Sequence, residues 1–171
     1  MKIIRNLLII VLGLFAQSVV VGRFDIYGVR PDLAMLVLLY ITSTSNAFEG
    51  VLYGFLIGFF QDVYTPEYLG YNALTMSLLG FMLGFVRERV TIEKTMVRII
   101  VTFVACIVHD LFYLILYTQL DFIVMANLLV QGSIAGALFT AVLAVLFITV
   151  WEWIGKGEFF GVVGELLGNR R

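Results

Sequence analysis

His109 and Asp110 stand side by side within the long apolar run that leads to Tyr117. Ionisable side chains at membrane depth are expensive, so such a pair is read first as a functional site, and its chemistry would be proton transfer or a ligand relay. Adjacent helical residues point about 100° apart, so the two cannot jointly hold one substrate proton without help from other helices. No nucleophile motif or carboxylate cluster accompanies them. His109 is the one histidine and Cys106 the one cysteine, which excludes a multi-histidine site, a thiolate metal cluster and a disulfide framework. An interhelical hydrogen bond or a partner contact is therefore the stronger reading of the pair, with a relay second.

A second carboxylate, Asp62, closes a patterned run. Gly50, Gly54, Gly58 and Asp62 fall four apart among Val51, Leu52, Tyr53, Phe55, Leu56, Ile57, Phe59 and Phe60. On a helix this spacing drifts by only about 40° per step, so the four form one sloping ridge. Three of them lack a side chain, which lets another helix approach almost backbone to backbone, the contact that replaces hydrophobic drive in lipid. The run ends in Tyr64-Thr65-Pro66-Glu67 and Gly70-Tyr71-Asn72, so it resembles a docking surface more than a catalytic centre. Packing within the chain is favoured over a foreign helix as the use of Gly50, Gly54 and Gly58. For Asp62, solvation or capping of the next turn and a partner contact carry equal weight.

The composition says what must hold these residues. The chain has 171 residues, 61% hydrophobic and 13% charged, with a mean hydropathy of +1.03. Soluble domains carry about 25% charged residues, so the expectation is one polytopic, all-α membrane domain. No basic face with interleaved aromatics supports nucleic-acid binding, and no cofactor is expected.

Six helices are expected, over residues 4–22, 32–46, 47–64, 68–86, 95–118 and 122–151. The first is read as an uncleaved span, because Leu14-Phe15-Ala16 is a poor cleavage site and Val19-Val20-Val21 continues the run. Pro31 and Asp32 open the second, with Asp32 placed to favour its N-terminus. The uncharged part of that helix, Leu33 to Phe48, has 16 residues, short of the ~20 that cross a bilayer upright. It is expected to stop short or to pass through its Thr42–Asn46 end into a tight turn. Gly80 and Gly84 repeat the small-residue spacing on the fourth helix. Phe122 to Trp151 is uncharged for 30 residues, roughly 45 Å of helix, so it should tilt, bend or begin in the interface. Its Gly132, Gly136, Thr140 and Ala144 form another small-residue ridge. Tyr64, Tyr68, Tyr71, Trp151 and Trp153 suit interfacial anchoring.

Charge orients the bundle. With both termini inside, Lys2, Arg5, Arg87, Arg89, Lys94, Arg98, Lys156, Arg170 and Arg171 are cytoplasmic, and only Arg23 and Arg30 are external. Nine against two follows the positive-inside rule.

The ordered combination of Pro31-Asp32-Leu33, the run Gly54 to Asp62 (GFLIGFFQD), Leu69-Gly70-Tyr71-Asn72-Ala73-Leu74, and Gly80-Phe81-Met82-Leu83-Gly84 before Arg87 resembles the rod shape-determining MreD family. The resemblance covers residues 31 to about 89, and implies a non-enzymatic inner-membrane subunit of the bacterial elongation machinery. It implies MreC as partner, beside MreB filaments and the enzymes that insert sidewall peptidoglycan, together with surrounding lipid; self-association stays open. It also implies a fold similar to the substrate-binding S-components of energy-coupling-factor vitamin transporters. The second functional reading follows from that likeness: a vitamin site built from Arg23, Asp25, Arg30, Asp32, Asp62, Asn72 and Asp121. A membrane enzyme is a distant third.

Overall fold

The computed structural model describes residues 2–19, 31–89 and 95–155. They form α1 (Lys2–Val19), α2 (Leu33–Thr42), α3 (Ala47–Asp62), a 3-10 turn (Pro66–Tyr68), α4 (Tyr71–Arg89) and α5 (Thr95–Tyr117). Then come α6 (Phe122–Leu128), a π-helical turn (Leu129–Ser133) and α7 (Ile134–Gly155). The fold is all-α, with no strand among the described residues. Arg23, Asp25, Gly28, Arg30, Glu93, Lys94 and the tail after Gly155 lie outside the described residues, as do the side chains of Trp151 and Trp153.

Hydroxyl groups set the length of α2. Thr42 Oγ1 donates to the Leu38 carbonyl at 2.8 Å, Ser43 Oγ to Tyr40 at 2.6 Å and Thr44 Oγ1 to Ile41 at 3.2 Å. Side chains that take up carbonyls in this way favour helix ends over helix interiors. Asn46 then caps α3, its Oδ1 accepting the Glu49 N–H at 2.8 Å. The expected helix 32–46 is thus a ten-residue helix and a tight turn. At the other end of α3, the fourth helix begins at Tyr71, three residues later than expected, because the Asp62 carboxylate takes up the amides of Gly70, Asn72 and Ala73 at its start. The long sixth segment keeps its helical path to Gly155 but widens into the π turn at residues 129–133.

Three of these segments are long and apolar enough to cross a membrane: Lys2–Val19, Ile99–Tyr117 and Phe122–Leu146. Six were expected. α2 and α3, with 10 and 16 residues, fall short of the ~20 required. α4 has 19 residues but is diluted by Asn72, Thr75 and Ser77 and ends in Arg87-Glu88-Arg89.

Successive helices nevertheless reverse direction. Lys2 Nζ meets Glu49 Oε2 at 2.6 Å, and Arg87 Nη1 donates to the Ser45 carbonyl at 3.2 Å. The starts of α1 and α3 and the ends of α2 and α4 therefore share one end. Asp62 and Asn72 occupy the other, where Tyr68 packs 5.1 Å from Tyr117 at the end of α5.

The closest packing joins α3 to α4. A Cβ added to Gly50, Gly54 or Gly58 would overlap the carbonyl groups of Gly80, Met76 and Asn72 respectively, well inside the 3.0 Å that real Cβ atoms respect. A Cβ on Gly80 would strike the Gly50 carbonyl, and one on Gly84 the backbone of Ala47. The ridge is therefore filled by α4 of the same chain, in an antiparallel register that pairs 50 with 80, 54 with 76 and 58 with 72. Ile57, Met76 and Leu79 seal the seam and join Met35, Leu38 and Ile41 of α2 in the core. A second seam lies between α5 and α7. There Thr102, Ala105, Cys106 and His109 are buried on one side and Ala137, Thr140, Ala141 and Ala144 on the other. Gly132 does not belong to it, since a Cβ added there would meet open space. Outward, α1 bares Ile4, Leu8, Val11 and Phe15, and α3 bares Phe48, Leu52 and the stacked pair Phe55–Phe59. These faces suit lipid.

Gly54→Ala tests the seam, because even one methyl group meets backbone there. We expect a loss of at least the roughly 1–3 kcal/mol typical of overpacking, read as a lower unfolding temperature in detergent, while Gly132→Ala leaves it unchanged. Equal stability of the two variants would mean that α3 and α4 do not touch.

Candidate functional site

Two polar centres interrupt the apolar bundle. The first is Asp62, at the end of the glycine ridge and fully buried. Its Oδ2 accepts the N–H groups of Gly70 and Ala73, both at 2.9 Å. Its Oδ1 accepts the Asn72 N–H at 3.1 Å and the Asn72 side-chain amide at 3.0 Å. One carboxylate thus satisfies the orphan donors at the start of α4, where the helix dipole also favours negative charge. Gly70 has φ +99, so a side chain there would be strained, and that conformation turns its amide toward Asp62. Asp62, Gly70 and Asn72 are brought together, but with each other: little of the carboxylate remains for a ligand.

The second centre lies where α2 begins. Asp32 Oδ1 accepts the Met35 N–H at 3.0 Å, which makes it the N-cap of α2, directly after buried Pro31. The Asp32 N–H donates to Thr140 Oγ1 at 3.0 Å, and the Leu33 N–H to Gln17 Oε1 at 2.7 Å. Residues of α1 and α7 therefore receive the free amides of a helix that starts beside the middle of α5 and α7. Asp32 also borders a cavity of about 90 Å³, shared with Cys106, His109, Asp110, Gly136 and Thr140. His109 Nδ1 lies 3.1 Å from Asp110 Oδ1, and its Nε2 is buried without a partner.

A tyrosine cluster connects the two centres. Tyr113 stacks on His109 at 6.3 Å and on Tyr117 at 6.1 Å, and meets Tyr71 edge-on at 6.2 Å. Tyr68 closes the group against Tyr71 and Tyr117. The hydrogen bond that the Tyr68 hydroxyl makes to Tyr117 favours its protonated form and raises the phenol above its ordinary value. Tyr68 and Tyr71 thus belong to a packed cluster, whereas Tyr64 is exposed.

The remaining candidates separate. Gly50, Gly54, Gly58, Gly80 and Gly84 are packing positions inside the α3–α4 hairpin. Asp121 is an N-cap, accepting from Ile123 and Val124 at the start of α6. Of the polar residues nominated for an outward vitamin pocket, Asp62 and Asn72 bind each other at the start of α4, Asp121 caps α6, Asp32 caps α2 beside the small cavity, and Arg23, Asp25 and Arg30 lie outside the described residues. The 90 Å³ cavity is also well below the ~300–1,000 Å³ of sites for such ligands. Gln17 was not anticipated, since a lone amide near the end of an apolar helix carries no pattern. Thr140 was read only as part of a ridge. No group of three or more His, Cys, Asp or Glu able to hold a metal occurs among the described residues.

An all-α chain with apolar outward faces, helices able to cross a bilayer and polar groups turned inward is a membrane protein. The family model of the rod shape-determining protein MreD matches residues 1–156, nearly the whole chain. The chain belongs to the MreD family, and its role lies in rod-shape determination. A search of curated proteins and one of solved structures give no match, so the likeness to transporter S-components gains no support.

Asp62→Ala removes four accepted hydrogen bonds at once. A hydrogen bond to a charged group contributes about 1.5–3 kcal/mol, so we expect a loss of several kcal/mol, with proteolysis in the Val63–Gly70 turn. Asp62→Asn, which keeps one acceptor oxygen, should retain part of the stability. A turn that resists protease in both variants would show that Asp62 does not hold it.

Proposed function

We propose that the protein is a non-enzymatic scaffold of the bacterial elongation machinery in the cytoplasmic membrane. It holds the transmembrane and juxtamembrane segment of MreC and so supports sidewall peptidoglycan synthesis. The observation that carries this reading is the use of the polar residues at the Asp62 end. They lock turns and helix starts, which makes a rigid body and leaves little reactive surface.

In this reading all six helical segments lie in the membrane as one domain, with α6 and α7 counted as one and both termini cytoplasmic. The reversal of successive helices and the nine-to-two charge distribution support it. The short α2 and α3 are accommodated within the bundle, shielded by the longer helices. Since α4 occupies the glycine ridge, the partner helix docks on an outward apolar face.

Affinity purification from membranes tests the function: MreC should co-purify with the tagged chain. Recovery of a stoichiometric vitamin-like ligand without MreC would reverse the reading. Topology has its own check in a Cys106→Ser background. An impermeant thiol reagent applied to intact cells should label Pro66→Cys and spare Arg89→Cys. Labelling at residue 89 would contradict the six-span arrangement.

A further inference from the structure

We propose that the cavity between α2, α5 and α7 is a hydrated proton-binding site, with His109 as its acceptor and the carboxylates of Asp32 and Asp110 as its counter-charges. This goes beyond the scaffold reading and does not depend on it.

The argument begins with the imidazole. An ionised carboxylate only accepts hydrogen bonds, so the 3.1 Å contact with Asp110 Oδ1 makes Nδ1 the donor. In neutral imidazole Nε2 then carries a bare lone pair. That atom is buried without a partner, in a residue 6% exposed that borders the cavity. A buried acceptor is normally satisfied, and the cavity supplies the means. Its volume of about 90 Å³ has room for about three waters at roughly 30 Å³ each. The lining offers these waters polar partners, among them the Asp32 carboxylate and the Thr140 hydroxyl.

The surrounding charges favour a proton over other occupants. From α2 the titratable group facing the cavity is Asp32; from α5 they are Cys106 and Asp110, with Tyr113 stacked on His109. α7 contributes Gly136, Ala137 and Thr140, none of which titrates. Two carboxylates thus stand around one imidazole, and among the described residues no lysine or arginine lines the cavity. Uptake brings a proton in from outside through the cavity water to Nε2 and gives an imidazolium beside the two carboxylates; release returns it by the same path. Asp32 caps α2, so the charge of the site bears on the helix start that α1 and α7 also hold.

The chain supplies its own probes, since His109 and Cys106 are each single in the sequence. Full-length protein labelled with ¹⁵N-histidine, in lipid nanodiscs, yields one imidazole signal. Across about pH 4 to 9, on both sides of the ordinary imidazole value, that signal should pass reversibly between the neutral and the doubly protonated form. Asp110→Asn and Asp32→Asn should each lower proton affinity about tenfold, one pH unit, the lower end of what a nearby opposite charge contributes. Asparagine also caps helices and accepts hydrogen bonds, so both variants retain the structural role and remove only charge. A small, water-soluble methanethiosulfonate should reach Cys106.

Three outcomes would overturn the proposal. One is an imidazole locked in a single protonation state across that range. Another is a Cys106 that only lipid-soluble reagents modify, which would mean a dry void. The third is a midpoint that moves when choline replaces sodium, which would assign the cavity to a metal cation.

Discussion

The structure depends on a contact between two backbones. Where α3 crosses α4, the glycines at 50, 54 and 58 leave nothing between one helix axis and the carbonyl groups of the other. In lipid the apolar side chains gain little by leaving their solvent, so helix association rests on close packing and on hydrogen bonds. The seam uses both. The glycine ridge provides the approach, and the buried Asp62 carboxylate at its end ties the returning chain to α4 through four hydrogen bonds. The register 50–80, 54–76, 58–72 ends at Asn72, the residue that Asp62 binds. Ridge and cap therefore specify the same hairpin, and a change to either disturbs the other.

The rest of the bundle is arranged around this hairpin. α2 packs its Leu38 and Ile41 into the same core, and starts beside the middle of α5 and α7. Such a start would leave amides unsatisfied in hydrocarbon, a cost of several kcal/mol each. Asp32, Thr140 and Gln17 remove that cost, each from a different element. The polar residues inside this membrane protein mainly complete helix ends. His109 is an exception, because one of its ring nitrogens is left over, as are both amide atoms of buried Asn6. The difference between a residue that closes the fold and one that remains available is visible in the hydrogen bonds alone.

Much of this was legible in the residues. The four-residue glycine spacing located the ridge, and the polar end of the second segment foretold its early stop. The excess length of the uncharged stretch from Phe122 called for tilt, a bend or an interfacial start, and the π turn at residues 129–133 had no signal of its own. The register of α4 was not legible, because GxxxG spacing names a face without naming its neighbour. The start of α4 was missed because the amides of Gly70, Asn72 and Ala73 turn toward a carboxylate eight to eleven residues away, a tertiary effect with no local signature. The meeting of Asp32 with His109 was equally hidden, since the fold alone brings residues 32, 109 and 140 together. Of the six expected segments, hydropathy and length alone qualify three as spans, because α2 and α3 are shorter than a bilayer.

The central claim is that α3 and α4 are packed on each other, with the ridge closed to any other helix. A spin-label distance between Leu52→Cys and Leu78→Cys, exposed positions in the same register, measures this directly in a Cys106→Ser background, in membranes with and without MreC, the proposed partner. We predict one narrow distance, unchanged by the partner. A separation that grows by about one helix diameter, roughly 10 Å, when the partner is present would show that a foreign helix enters the ridge, and would contradict the account.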